Sequence, residues 1–110
     1  MSLKDEIHQL AALPPNWYDN YRVSKKPVDD SITLNALAVA LRIADEIEGA
    51  NLTSFVYPVP GGGIQFEWDG PVSFGEYNRV VEIEVLPSGE LKILYEHELV
   101  DFKVIDGYKE

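Results

Sequence analysis

The chain has 110 residues, 45% of them hydrophobic, which is typical of one globular domain and not of a disordered chain. Its formal net charge of −10 disfavours nucleic acid and anionic membranes as partners, because their phosphates require cations. The lack of cysteine excludes disulfide bonds, thiolate metal sites and cysteine nucleophiles. No apolar run approaches the about 20 residues of a membrane span, and no apolar leader region is visible. We therefore expect a cytoplasmic protein.

A first helix is predicted over residues 1–13. Ser2 and Asp5 have the spacing of a capping box, in which each side chain satisfies the backbone N–H of the other residue. Leu3, Ile7, Leu10 and Ala11 repeat at helical spacing. The Pro14-Pro15 pair then ends the helix, because proline lacks the N–H that helix hydrogen bonding requires.

A second helix is predicted over residues 30–48. Its candidate capping residues are Asp29, Asp30 and Ser31. The predicted apolar face consists of Leu34, Leu37, Leu41 and Ala44, flanked by Ala36, Ala40, Ile43 and Ile47. Gly49 is well placed to end the helix. The small alanines indicate that this helix lies close against a sheet.

From residue 52 to residue 105 the apolar period becomes two, which predicts an antiparallel sheet. The first hairpin turns at Pro60–Gly63. Its expected cross-strand pairs are Val59 with Ile64, Tyr57 with Phe66 and Phe55 with Trp68, all facing the core. Pro58 cannot donate a ladder hydrogen bond, which indicates an edge strand.

The second hairpin turns at Pro87-Ser88-Gly89. Its expected pairs are Val85 with Leu91, Ile83 with Ile93 and Val81 with Tyr95 on the core side, and Glu84 with Lys92 on the polar side. Residues 69–78 are predicted to form a connection between the hairpins. Residues 99–105 fit either a fifth strand or a short helix. The predicted fold is a single α+β domain over residues 1–110, with two N-terminal helices packed on one face of an antiparallel four- to five-stranded meander.

The connection over residues 14–29 is a candidate binding surface, because aromatic residues are followed there by bases in an otherwise acidic chain. Its candidate partner-binding residues are Trp17, Tyr18, Asp19, Tyr21, Arg22 and Lys25. A purely structural role competes with this interpretation, since Trp17 and Tyr21 can also close one end of the core. The sequence is compatible with Trp17 in the core and with Trp17 at an interface, and it does not decide between them.

The polar face of the sheet is a second candidate site, made of Gln65, Glu67, Glu82 and Glu84. Paired carboxylates are typical of hydrolases, but acid–base work requires one of them in a desolvated setting. His8 and His97 lack metal-ligand spacing, and consecutive residues of the Glu96-His97-Glu98 triplet point to opposite faces of a strand, so the three cannot converge on one ion. We therefore expect no catalytic residues, no metal and no cofactor.

Several short strings of the chain resemble an uncharacterised family of small bacterial proteins. They are LPPNWYDNY at residues 13–21, GGIQFEW at residues 62–68, EIE at residues 82–84 and PSG at residues 87–89. The family reads NWDxYGAxP, GGIQLEW and LEIEVxPxG at the corresponding places. The chain departs from the first motif, where Tyr18 precedes Asp19 and Arg22-Val23-Ser24 replaces Gly-Ala. The resemblance implies a bacterial origin and one intact domain, and no particular activity.

The functional expectation is a non-enzymatic bacterial protein that binds another protein. An antitoxin-like or immunity-like binder of a basic partner suits the small size and the acidity. The alternative is a small-ligand binder or hydrolase that uses the acidic residues of the open sheet face. A homodimer through an exposed sheet edge is a further expectation.

Overall fold

The computed structural model describes residues 2–18, 29–75 and 77–96, together with the backbone of Phe102–Ile105. Its elements are α1 (Leu3–Ala11), α2 (Leu34–Gly49), β1 (Phe55–Val59), β2 (Gly63–Phe74), β3 (Tyr77–Val85), β4 (Leu91–Tyr95) and β5 (Phe102–Ile105). The sheet order is β1-β2-β3-β4-β5, and every neighbouring pair is antiparallel. Two helices with the antiparallel strands β1 to β4 confirm the predicted α+β class.

Helix α1 begins as its sequence predicts. The Ser2 hydroxyl accepts a hydrogen bond from the Asp5 backbone N–H at 3.1 Å, and the Asp5 carboxylate accepts one from the Ser2 N–H at 3.2 Å. This capping box needs only residues three apart, so local sequence suffices to specify it. Lys4 also forms a salt bridge to Asp45 of α2.

Helix α2 begins four residues later than predicted, and the proposed caps were wrong. Its N-cap is Thr33, whose hydroxyl accepts a hydrogen bond from the Ala36 N–H at 3.1 Å. The buried residues of α2 are Ala36, Val39, Ala40, Ile43, Ala44 and Ile47. Leu34 was expected among them but is 83% exposed, because two residues advance a helix by about 200° and place Leu34 opposite Ala36.

The first hairpin adopts a register one residue away from the predicted one. Val59 pairs with Gly63, so the loop has three residues and not four. The remaining pairs are Pro58 with Ile64, Tyr57 with Gln65, Val56 with Phe66 and Phe55 with Glu67. Because side chains alternate along a strand, this shift exchanges the two faces of β1. Val56 packs against the core, while Phe55 and Tyr57 are exposed.

Two rows of apolar residues run across the strands on the core side of the sheet. One contains Val56, Phe66, Ile83 and Ile93, and the other contains Pro58, Ile64, Val85 and Leu91. The β2, β3 and β4 members of both rows are fully buried. They belong to one hydrophobic cluster with Ile7 of α1 and the buried residues of α2. This cluster leaves the opposite sheet face as the polar one.

Irregularities in β2 and β3 overturn two smaller predictions. The predicted connection at residues 69–78 is wrong, since β2 extends to Phe74 and β3 begins at Tyr77. The β2–β3 register shifts between Glu67 and Val72, which bends β2 without ending it. A second shift pairs Val80 with Tyr95, so Val80 is buried in the place predicted for Val81.

The turn between β1 and β2 packs against residues 30–33 and is hydrogen-bonded to them. The Gly61 N–H donates to the Asp30 carboxylate at 2.8 Å, and the Thr33 N–H donates to the Gly62 carbonyl at 3.1 Å. A Cβ on Gly62 would lie 2.8 Å from the Ser31 carbonyl oxygen, which is too close for any other residue. A glycine at position 62 is therefore required for close approach of the two backbone segments.

Replacement of Gly62 by alanine should destabilise the domain more than replacement of Gly61. Both glycines have positive φ, +106° and +94°, so both variants carry the left-handed cost of about 1–2 kcal/mol. Only Gly62→Ala adds the collision with Ser31, for which overpacking costs of about 1–3 kcal/mol are typical. Urea unfolding of the two variants measures the difference. Equal losses in the free energy of unfolding would contradict the close packing of the turn against Ser31.

Candidate functional site

The sheet face opposite the hydrophobic cluster carries two parallel rows of side chains, and we name it the outer face. The first row contains Phe55, Glu67, Glu82 and Leu94. The second row contains Tyr57, Gln65, Glu84 and Lys92. Each row takes one residue from each of β1, β2, β3 and β4. The structure therefore brings the four predicted sheet-face residues together and adds aromatic residues to them.

The aromatic residues at the β1 end of the rows are exposed. Phe55 is 52% exposed and Tyr57 is 43% exposed, although both were predicted to face the core. Phe55 lies directly opposite Glu67, and Tyr57 lies directly opposite Gln65. Opposite Cβ atoms in antiparallel strands are about 4.5–5.5 Å apart, so each ring adjoins a polar side chain. The face thus combines apolar area with carboxylates.

Two carboxyl groups occupy the middle of the first row. Glu67 and Glu82 are paired in the β2–β3 register, and the Gln65 side-chain amide donates to Glu67 Oε1 at 2.6 Å. Burial raises the pKa of Glu82, and the charge and hydrogen bonding of Glu67 and the charge of Glu84 raise it further. In the described part of the chain, neither Glu67 nor Glu82 forms an ion pair with a lysine or arginine. The site is therefore electrostatically suited to an added cation.

The second row differs because it contains a base of its own. Lys92 lies opposite Glu84, as the sequence predicted from the β3–β4 register. Oppositely charged cross-strand neighbours attract, whereas the paired acids of the first row repel. The uncompensated negative charge of the outer face is therefore centred on the first row.

The predicted aromatic–basic connection is described only in part. Trp17 is half-buried, and its indole N–H donates to the Asp30 carbonyl at 2.8 Å. The Trp17 and Tyr18 rings meet edge to face, with centroids 5.4 Å apart. These contacts give Trp17 a structural role within its own chain. Asp19, Tyr21, Arg22 and Lys25 lie outside the described residues.

A cleft of about 300 Å³ lies elsewhere, between α1, the end of α2 and the connection to β1. It is lined by Ser2, Leu3, Glu6, Ile47, Glu48, Leu52, Thr53 and Ser54. None of these residues was a predicted site residue. The acidic sheet-face residues accordingly do not share this cleft.

Across residues 2–18, 29–75 and 77–96, no group of three or more histidine, aspartate and glutamate side chains is arranged to hold a metal ion. Neither described helix combines the length and apolarity needed to cross a membrane. Comparison with protein-family models, with curated proteins and with solved structures finds no match for the chain. The resemblance to the small bacterial family stays a prediction.

Sequence reasoning missed Phe55 and Tyr57 as residues of the site. It maximised apolar pairing across a four-residue loop, which placed both rings inward. The turn itself contained the missing signal, because three-residue hairpin loops with glycine in the left-handed region are common. Such a loop ends at Gly62 and makes Gly63 the first residue of β2.

Glu82→Gln should stabilise the domain at neutral pH by about 0.2–1 kcal/mol, because it removes repulsion between directly opposite like charges. A carboxyl with a raised pKa in the folded state binds its proton more readily there, so wild-type stability falls as pH rises through that raised pKa. The stability difference between Glu82→Gln and the wild type should therefore disappear at pH values below the ordinary pKa of a glutamate. Urea unfolding as a function of pH measures it.

The matched control is Glu84→Gln, which removes a carboxylate that faces Lys92. This variant should stabilise the domain less than Glu82→Gln does at neutral pH, because it loses the attraction to Lys92 and relieves only the smaller repulsion that Glu84 exerts on Glu82. Stabilisation by Glu84→Gln equal to that by Glu82→Gln would contradict the distinction between the two rows.

Proposed function

We propose that this domain is a non-enzymatic protein-interaction module of the bacterial cytoplasm that binds a basic partner through the outer face. The observation that carries the proposal is the placement of two exposed aromatic rings in register with a row of carboxylates. Aromatic residues dominate the binding energy of many protein interfaces. Carboxylates beside them favour partners of opposite charge.

The charge of the whole chain supports the same conclusion. A net charge of −10 raises the rate at which a basic protein encounters the domain, because the long-range field attracts it. Antitoxin-like or immunity-like neutralisation of a basic protein is a role that such a small acidic domain can fill. The proposed arrangement has both helices on one face of a five-stranded sheet, which leaves the outer face available to the partner.

Self-association is a weaker fit to the same surface. Two copies meeting through their outer faces would bring two sets of carboxylates together, which costs free energy. Pairing through the β1 edge is disfavoured by Pro58, which has no N–H to donate to a neighbouring strand. A second protein of opposite charge avoids both difficulties.

The Glu67–Glu82 pair favours one further candidate function. A carboxyl of raised pKa beside a second carboxyl group is an arrangement found in hydrolases, so a small-ligand binder or hydrolase stays a second candidate. Turnover of a hydrolysable test substrate by the wild-type chain, lost in Glu82→Gln, would favour this candidate over the binding module.

The binding proposal is tested by capture from a bacterial lysate, followed by affinity measurement on the purified captured protein. The Phe55→Ser/Tyr57→Ser variant should keep its fold, because both residues are exposed, and should bind at least tenfold more weakly. Loss of an interface hot spot typically costs about 2 kcal/mol or more, which exceeds a tenfold change. Circular dichroism checks the fold.

Leu34→Ser is the matched control, since Leu34 is also a large hydrophobic residue with an exposed side chain and lies on α2. It should bind like the wild type. Equal binding by the Phe55/Tyr57 variant and the wild type would contradict the proposal. Weakening by Tyr18→Ala alone would instead assign binding to the aromatic–basic connection.

A further inference from the structure

The first row of the outer face indicates which chemical group of a partner it would contact. We propose that the partner lays an arginine side chain across the first row, with its guanidinium between Glu67 and Glu82. Apolar groups next to that arginine then rest on Phe55 and Leu94. This inference rests on the proposed function and names the recognition element of the same face.

The order of residues along the first row favours a partner segment in which one cationic side chain lies between two apolar ones. Two carboxylates in the centre are flanked by Phe55 on β1 and Leu94 on β4. Neighbouring strands are about 4.8 Å apart, so the row spans roughly 14 Å. Such a length accommodates a short segment with one basic residue between two apolar ones.

Arginine fits the paired acids better than lysine does. A guanidinium presents a planar fork of N–H donors that can serve two carboxylate oxygens at once, whereas an ammonium acts as a point charge. The Gln65 side-chain amide donates a hydrogen bond to one carboxylate oxygen of Glu67, which restricts the orientation of that carboxylate. A guanidinium also stacks on aromatic rings, and Phe55 lies directly opposite Glu67.

The partner approaches the face and not the edge of the sheet. Addition of a strand to β1 would require backbone donors, and Pro58 lacks one in a five-residue strand. In the second row, Lys92 lies opposite Glu84 and opposes the entry of another cation. Both features direct a cationic side chain to the first row.

Protonation should oppose this binding. Glu67 on β2 and Glu84 on β3 carry the charges that act on Glu82, while its β4 neighbour Leu94 is uncharged. Lys92 is the base that the rows place next to Glu84. A guanidinium favours the ionised form of Glu82, so affinity should fall as pH is lowered through the raised pKa of that group.

The test uses the ¹⁵N-labelled chain and three synthetic peptides, acetyl-Val-Ser-Arg-Ser-Val-amide and its lysine and citrulline analogues, in which alternation along an extended chain places both valines on the same side as the central residue. Amide shifts on titration should centre on Phe55, Glu67, Glu82 and Leu94 for the arginine peptide. The lysine peptide should bind at least threefold more weakly, and the uncharged citrulline peptide at least tenfold more weakly. The Glu67→Gln/Glu82→Gln variant should weaken arginine-peptide binding at least tenfold and remove its pH dependence.

Glu6→Gln/Glu48→Gln is the charge-matched control, because it also removes two carboxylates, and both are exposed and lie on the helices. It should change arginine-peptide binding less than threefold. Equal binding of the arginine and lysine peptides, shifts centred on the second row, or no shift with any peptide would overturn this inference. The capture experiment with Phe55→Ser/Tyr57→Ser decides the proposed function separately, so the two can fail independently.

Discussion

The buried carboxylate of Asp30 joins segments that are far apart in sequence. It accepts a hydrogen bond from Gly61 in the β1–β2 turn, while the Asp30 backbone N–H donates to Pro15 and its carbonyl accepts from Trp17. Asp30 is fully buried, and a buried polar group that loses its partner costs about 1–3 kcal/mol or more. The position of the turn relative to α2 is therefore tightly constrained.

This constraint extends to the candidate site through the strand register. When the turn is hydrogen-bonded in this position, Val59 pairs with Gly63, and this pair determines every following pair of the hairpin. A register shifted by one residue would bury Phe55 and Tyr57 and turn Val56 and Pro58 outward in their place. The aromatic component of the proposed binding surface thus depends on contacts made at the opposite end of β1.

Local and repeated features of this chain were predictable, and contacts between distant segments were not. The α1 capping box and most of the β3–β4 register follow from spacing and from alternating residues. The role of Asp30 depends on a turn 31 residues away, so its negative charge was interpreted as a helix cap. The carboxylates of the outer face were found from alternation alone, whereas Phe55 and Tyr57 required the true register.

The proposed binding surface depends most directly on which residues of β1 lie on the same sheet face as the carboxylates. Nuclear Overhauser effects measured on the isotope-labelled chain determine this without any mutation. We predict cross-strand contacts between the backbone protons of Phe55 and Glu67 and between those of Tyr57 and Gln65. Contacts of Phe55 with Trp68 and of Tyr57 with Phe66 as the directly opposite pairs would contradict the account, because both rings would then face the core.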